Sequence, residues 1–413
     1  MIPLRLDEVA ALAPGKLERA AGAAEITGVQ VDSRRIAPGD LFVAVGRGTD
    51  FRHDALARGA AAALAPEDAF AALAALGAAV RARSTARVVG ITGSTGKTST
   101  KDILAALCAL AARTVAAEAS FNNEIGVPLT LCQLEAETEV CILELAMRGF
   151  GQIAELCRIS GPDIGVITNV GPVHLELVES LDGVLRAKSE LVAALPVGGT
   201  AIVPEAFPVE RQDVEVVRLG EPEARLEDGR TVVGGVSFNF TARHQAANAA
   251  AALAVLDALG LPRPQRVDVD FSRWRGEELP LPGGGLLIND AYNANPVSMR
   301  AALGHLADRA GARRRVAVLG EMAELGPGAP VFHREIGEEA VRHGADVLVA
   351  VGDLARSYLD GAAGVPVTRW SPDARSAVAV VDEVVEPGDC VLVKASRAVG
   401  LEVVAEALAA VSA

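Results

Sequence analysis

Val88-Val89-Gly90-Ile91-Thr92-Gly93-Ser94-Thr95-Gly96-Lys97-Thr98-Ser99-Thr100 decides how this chain is read. An apolar run with the character of a buried strand enters a loop whose glycines, Gly93 and Gly96, stand three apart. A helical pattern over residues 101–112 leaves it. Glycines let backbone N–H groups turn inward onto an anion, and a helix N-terminus adds partial positive charge. In such a loop a lysine at position 97 reaches the outer phosphates of a nucleotide, and the Thr98 hydroxyl sits where Mg²⁺ is held. The strict pattern asks for glycine five residues before Gly96, where this chain has Ile91, so the loop is the variant T-G-S-T-G-K-T. A chance glycine turn before a helix is the bland alternative. The order strand, glycines, Lys-Thr, helix favours a phosphate site over residues 92–99, and with it ATP.

Outward from the loop, short Val/Ile/Leu runs alternate with alanine-rich helical stretches, the pattern of an α/β chain. A length of 413 residues suits two to four domains with sizeable cores. Between residues 86 and 265 the expected strands are 88–91, 140–143, 164–168 and 200–203. Helices between them call for a mainly parallel sheet with ligands at the strands' carboxyl ends. A polar connector at 81–85 and Leu261-Pro262-Arg263-Pro264 mark boundaries on either side. Residues 266–413 repeat β/α at 286–288, 315–319, 347–351 and 389–393. Residues 1–85 form a first unit: strand and turn over 27–34, a tight turn at Pro38-Gly39-Asp40, a buried strand at 41–45 and a helix over 54–64.

Polar residues follow the central strands. Ser120-Phe121-Asn122-Asn123 opens an amide-rich loop, Glu144 closes 140–143, and Thr168-Asn169-Val170-Gly171-Pro172-Val173-His174 follows 164–168. Lys188 lies in a helical stretch beside Glu190. Singly, Glu144 reads equally as a surface carboxylate, His174 as a helix cap and Lys188 as a solvent-facing lysine. Jointly, a carboxylate and an imidazole beyond buried strands, downstream of a phosphate loop, are what divalent-metal ligation on ATP needs. Further on, His244 and Asn248 stand at i, i+4 on one helical face, where the amide can pair with an adenine edge. The later signatures are Asn289-Asp290-Ala291-Tyr292-Asn293-Ala294-Asn295-Pro296, Leu319-Gly320-Glu321-Met322-Ala323-Glu324-Leu325-Gly326 and the basic strand end Lys394-Ala395-Ser396-Arg397.

Composition narrows the function. A formal net charge of −14 argues against gripping nucleic acid by its phosphates, while leaving a nucleotide site open. Five cysteines without C-x-x-C spacing read as buried reduced thiols. The N-terminus lacks the pattern of a signal peptide, and no clean span of about 20 apolar residues occurs. The expectation is a cytoplasmic protein with no membrane anchor.

Together these segments resemble the Mur ligases, the ATP-dependent enzymes that add amino acids to the peptidoglycan precursor, over nearly the whole chain. The family marks are the T-G-S-T-G-K-T loop, the Asn122-Asn123-x-x-Gly126-x-Pro128-Leu129-Thr130 run, and Thr168-Asn169-x-Gly171-Pro172-x-His174-Leu175-Glu176. The 290–296 segment, with 320–326 and His333 behind it, is similar to the branch that adds D-alanyl-D-alanine. The diaminopimelate-adding branch would show a D-Y-A-H-T-P-type segment and an Asp-Asn-Pro-Arg motif, which this chain lacks. The resemblance implies three domains: 1–85 binding the UDP precursor, 86–265 a central P-loop-type sheet binding ATP, and 266–413 a Rossmann-like domain closing on ATP and holding the dipeptide. It implies an amide ligase joining D-Ala-D-Ala to UDP-MurNAc-tripeptide through an acyl phosphate, as a monomer.

By the same resemblance Lys97 contacts phosphates within a nucleotide site of Thr92, Gly93, Ser94, Thr95, Gly96, Thr98 and Ser99. Thr98 and Glu144 bind one Mg²⁺, and His174 a second. Lys188 matches a carbamylated lysine that helps position metal, and His244, Asn248, Arg275 and Asp290 touch the nucleotide. Ser33, Arg34, Asn122, Asn123, Tyr292, Asn293 and Asn295 fall where substrates bind. The segment from Glu144 to Ile153 departs from the family's E-M-G-A-N-H-x-G-E-I, keeping the glutamate and losing Asn-His. The rival readings are another ligase on the same scaffold, either diaminopimelate-adding or folylpolyglutamate-type, and a non-catalytic ATP-gated binding protein.

Overall fold

The structure, a computed structural model, describes residues 1–410. The chain forms two compact units. One takes residues 1–169, 186–239 and 247–269; the other takes 170–185, 240–246 and 270–413.

The first unit is built on a six-stranded sheet in the order Glu215–Leu219, Thr200–Pro204, Ile164–Ile167, Arg87–Thr92, Val140–Glu144, Thr114–Ala116. All its pairings are parallel. Parallel strands covered on both faces need apolar residues at every position, and Val88, Val89, Ile91, Ile142 and Leu143 are all fully buried. Arg87–Thr92 sits between Ile164–Ile167 and Val140–Glu144, so the loop after it opens at the point where the strand order reverses. That is where open α/β sheets bind ligands.

Three smaller sheets complete this unit: a two-stranded pair, Leu4–Arg5 with Glu25–Ile26, and two sheets of four strands. The N-terminal one has the order Gly15–Arg19, Ala62–Pro66, Asp40–Val43, Gly28–Gln30. Here the structure corrects the expected helix over 54–64: the helix is Arg52–Ala57, and Ala62–Pro66 is an inner strand. Gly59, at φ +103°, turns the chain out of the helix, and Ala62, Ala63 and Leu64 are small or apolar enough to be buried in the sheet. The other sheet, Ala224–Glu227, Arg230–Val233, Val236–Phe238 and Arg266–Val267, breaks the β/α alternation expected there. Its first hairpin turns at Asp228-Gly229, both at positive φ, a dipeptide that signals a hairpin from sequence alone.

The second unit carries a six-stranded sheet in the order Glu277–Leu281, Gly285–Asp290, Cys390–Lys394, Arg315–Gly320, Val347–Val351, Val367–Ser371. Only the edge strand Glu277–Leu281 is antiparallel, and an edge tolerates its Pro280. Alternate residues feed opposite faces. Ala317 and Leu319 pack with Met299, Leu303 and Leu306 of helix Pro296–Ala310 and with Ile336 of helix Ala329–Arg342. Val316 and Val318 pack with Ala377 and Val381 of helix Ala374–Val384 and with Val404 of helix Glu402–Ala410. The fold is thus α/β with two main sheets. Among the described residues no helix is long and apolar enough to cross a membrane. All five cysteines are buried free thiols.

Candidate active site

In the first unit the helix after the glycine loop is Lys97–Cys108, starting four residues earlier than the sequence pattern suggested. Lys97 and Thr98 therefore stand on its first turn, where the amides carry no intrahelical partner. Gly96 caps it at φ +78°, and a Cβ there would lie 2.3 Å from Asn248 Oδ1. At Gly93, φ +152°, a Cβ would lie 1.8 Å from Thr168 Oγ1. Both glycines are required by close approach as well as by backbone conformation.

The loop is held from behind by the residues after the neighbouring strand. The Ser94 N–H donates to Asn169 O at 3.1 Å and the Thr95 N–H to Asn169 Oδ1 at 2.9 Å. Thr168 Oγ1 donates to Thr95 O. Thr100 Oγ1 donates to Asn248 Oδ1 at 3.3 Å, tying the buried Asn248, on helix His244–Ala258, to the helix that follows the loop. Lys97 Nζ folds back onto Gly93 O at 2.7 Å. Buried Thr92 Oγ1 has no hydrogen-bond partner among the described residues, an orphaned hydroxyl at the mouth of an anion loop.

Glu144 ends its strand fully enclosed, at 1% exposure. Its two oxygens are divided: Oε2 accepts from Thr98 Oγ1 at 2.6 Å, and Oε1 from Asn122 Nδ2 at 2.8 Å. A buried carboxylate beside a threonine hydroxyl presents two hard oxygens at the foot of the phosphate loop. Lys188, on helix Leu181–Ala193, is also buried rather than facing solvent beside Glu190. Burial, with the nearby Lys97 charge adding to it, pushes its ammonium well below the ordinary lysine range. Glu190 instead accepts from the Gly151 and Ala154 N–H groups, capping helix Gln152–Ser160. The divergent loop before that helix is further held by Arg186, whose guanidinium stacks 4.1 Å from the Phe150 ring centre.

Several residues expected to meet substrate have structural partners. Asn123 Oδ1 accepts from the Ile125 and Gly126 N–H groups at the start of helix Gly126–Leu131. Ser33 hydrogen-bonds the Asp54 carboxylate, and Arg34 lies along Asp32, Nη2 to Oδ2 at 2.7 Å.

The second unit gathers another group. Arg275 stacks over the Tyr292 ring at 4.1 Å, and its buried Nε has no partner among the described residues. Asp290 ends its strand and takes Lys394 Nζ at 2.5 Å; the same ammonium donates to Asn293 O at 2.8 Å. The basic strand end thus meets a carboxylate of this same chain. Asn295 is buried and forms a capping box with Ser298 at the head of helix Pro296–Ala310. The His244 ring packs edge-on to His305 at 6.1 Å. Segment 170–185 belongs to this unit, and His174 Nδ1 hydrogen-bonds Glu324 Oε2. Lys394, Glu324 and the Glu278–His305–Arg309 cluster (Nε2 to Oε1 3.1 Å, Nη2 to Oε2 2.7 Å) were not singled out as site residues from sequence. Lys394, basic at a strand's carboxyl end, and Glu324, within the 319–326 signature, carried a readable signal; the Glu278 cluster did not.

Residues 91–256 match the model of the Mur ligase middle domain, and residues 274–397 that of the Mur ligase glutamate ligase domain. The chain belongs to the Mur ligase family. Within it, the UDP-N-acetylmuramoyl-tripeptide–D-alanyl-D-alanine ligase of Mycobacterium bovis is 35% identical, the match covering 99% of this chain and 98% of that one. Among solved structures, MurF from Acinetobacter baumannii superposes with a TM-score of 0.84 at 27% identity, covering 99% of both chains. The MurF ligase from Thermotoga maritima, solved with ADP, gives 0.77 at 27% identity over 93% of this chain and 97% of that one.

Proposed function

We propose that this chain is the ATP-dependent ligase that joins D-alanyl-D-alanine to UDP-N-acetylmuramoyl-tripeptide in peptidoglycan precursor synthesis. The observation that carries the residue-level reading is the phosphate loop closed at its foot by the buried Thr98–Glu144 pair. Likeness to ligases of that activity, over nearly the whole chain, supplies the substrates.

The donor set fits Mg²⁺. Mg²⁺ takes one or two protein oxygens and fills its octahedron with phosphate oxygens and water, and Thr98 and Glu144 offer such a pair. When bound, it neutralises charge on the phosphates being approached by an anion. His174 would ligate a second ion. Lys188 would serve as its carbamate: burial disfavours its ammonium, the uncharged amine is the form that adds CO₂, and the product is an anion.

The chain's own groups account for the remaining chemistry. The loop amides and Lys97 hold the outer phosphates in line with the tripeptide's carboxylate. The γ-phosphoryl passes to that carboxylate, ADP departs, and the acyl carbon becomes electrophilic. The dipeptide amine then attacks, loses a proton, and expels inorganic phosphate as the amide forms. In the second unit Arg275 and Asp290 are suited to the nucleotide, and Tyr292 and Asn293 to the incoming dipeptide.

Phosphate release from ATP and Mg²⁺ tests the reading, with UDP-MurNAc-tripeptide present and D-Ala-D-Ala compared against single amino acids and no acceptor. Release requiring both substrates is expected. Release with UDP-MurNAc-dipeptide and a diamino acid would move the enzyme one step earlier. Intact ATP binding with no release for any acceptor would make it a nucleotide-gated binding protein.

A further inference from the structure

The segment 320–326 and His333 stand out in the sequence, yet nothing in the reaction above uses them. In the structure they build a brace. His333 is fully buried; its Nε2 accepts the Met322 N–H at 3.0 Å and its Nδ1 bonds Ala329 O at 2.7 Å. Burial pushes the His333 imidazolium down, the direction that suits Nε2 as an acceptor. Tyr358 packs on that ring at 4.8 Å and donates its hydroxyl to Gly320 O at 2.8 Å. Glu321 Oε1 accepts the Leu354 N–H at 2.9 Å, and the Ala323 N–H donates to Ser396 Oγ at 2.9 Å.

This brace fixes the loop immediately before one residue, Glu324, whose backbone lies in the left-handed region at φ +61°. Its carboxylate meets His174, which is left-handed as well at φ +53°. One pair of residues along, Glu176 Oε1 accepts the Gly326 N–H at 3.2 Å, so the two loops are joined at two points. Non-glycine residues held left-handed and facing each other point to a function that the surrounding structure enforces.

We propose that Glu324 is the positioning residue for His174, holding the imidazole proton on Nδ1 so that Nε2 carries the lone pair and is presented as a metal ligand. A histidine ligand is ordinarily set this way, its other ring nitrogen bonded to a carboxylate that fixes tautomer and orientation. Within 320–326 it is Glu324 whose carboxylate bonds His174, and Gly320, Glu321, Met322 and Ala323 are held by the bonds of the brace. The inference rests on the reading of His174 as a ligand to Mg²⁺, and its test separates the two.

With six histidines in the chain, long-range proton–nitrogen NMR of the full-length enzyme resolves each ring's tautomer, and His174→Ala assigns the signal. Without metal, the wild type is expected to show His174 protonated on Nδ1. Glu324→Ala should release it to the mixture of an unrestrained histidine. Glu324→Gln, whose amide oxygen still accepts, should largely keep the wild-type tautomer. Mn²⁺ added with ADP should broaden His174 in the wild type, and the Mg²⁺ concentration for half-maximal turnover should rise about 10- to 100-fold in Glu324→Ala. An unchanged tautomer in Glu324→Ala overturns the positioning role, whatever the activity. A changed tautomer with no Mn²⁺ effect on wild-type His174 overturns the ligand reading and the proposal that rests on it.

Discussion

Replacing Lys97 with methionine keeps the length and apolar stem of the side chain while removing its charge. In the folded chain the loss is small. The bond from Nζ to Gly93 O at 2.7 Å disappears, a net change of about 1 kcal/mol for one hydrogen bond. Stability should therefore stay within about 1 kcal/mol of the parent, and the urea midpoint should barely move. Turnover is another matter. A preorganised cation on a transferring phosphoryl group is worth roughly 2.7–4 kcal/mol, so kcat should fall about 10²- to 10³-fold. Coupled phosphate-release kinetics beside urea unfolding read both quantities on one preparation. A Lys97→Met enzyme keeping a tenth or more of the parent's kcat would refute the phosphate-site assignment. A large loss of stability with proportionate loss of activity would show instead that the lysine is structural.

Three other outcomes follow from the same geometry. Lys188 titrates lower folded than unfolded, so the unfolded chain binds more protons and stability rises with pH from the depressed folded value up to about 10.5. Lys188→Met should flatten that rise in urea unfolding at pH 7 and pH 9, and activity of Lys188→Ala should be partly restored by added acetate; equal loss with and without it would count against the carbamate. Glu278 is disfavoured as an anion by burial, but its bonds to His305 and Arg309 prevail and hold its carboxyl near about 2 against an ordinary 4.5. The resulting stability, up to about 3 kcal/mol, is present above pH 4.5 and lost as pH falls toward 2; Glu278→Gln should remove most of that acid sensitivity, and an unaltered acid profile would contradict the pairing. Gly96→Ala places a methyl 2.3 Å from Asn248 Oδ1 at a left-handed position, and should cost about 1–3 kcal/mol and weaken ATP binding in calorimetry.

The phosphate loop and the strands flanking it were legible because parallel buried strands are written as unbroken apolar runs. Glycine and Lys-Thr spacing then has one strong physical reading. Glu144 and Lys188 were legible as candidates, but their burial was not: a carboxylate beyond a strand and a lysine in a helix look alike whether enclosed or exposed. The misread segment 54–64 failed because alanine serves helix and inner strand equally, so Gly59 was the only local clue. The four strands between 224 and 267 were hidden by the surrounding β/α rhythm, although Asp228-Gly229 announced a hairpin. Glu324 lies in a legible signature, but its role could not be read there, since it depends on His174, 150 residues earlier. Asn123 and Asn295 show a further limit, for sequence alone did not show that their amide oxygens also bind backbone N–H groups at the starts of helices Gly126–Leu131 and Pro296–Ala310.

That separation of 150 residues also bears on how the chain is made. Residues 170–185 belong to a unit whose other parts, 240–246 and 270–413, are synthesised later. At about 5–20 residues per second, His174 leaves the ribosome roughly 8–30 s before Glu324 exists. Through that interval exposed Leu177 and Leu181 and buried Val178 belong to a stretch without its final partners, a natural client for a chaperone. For the same reason a fragment cut at residue 270 would begin with a unit already missing two of its pieces. Halves of this protein should be sought by co-expression rather than by truncation.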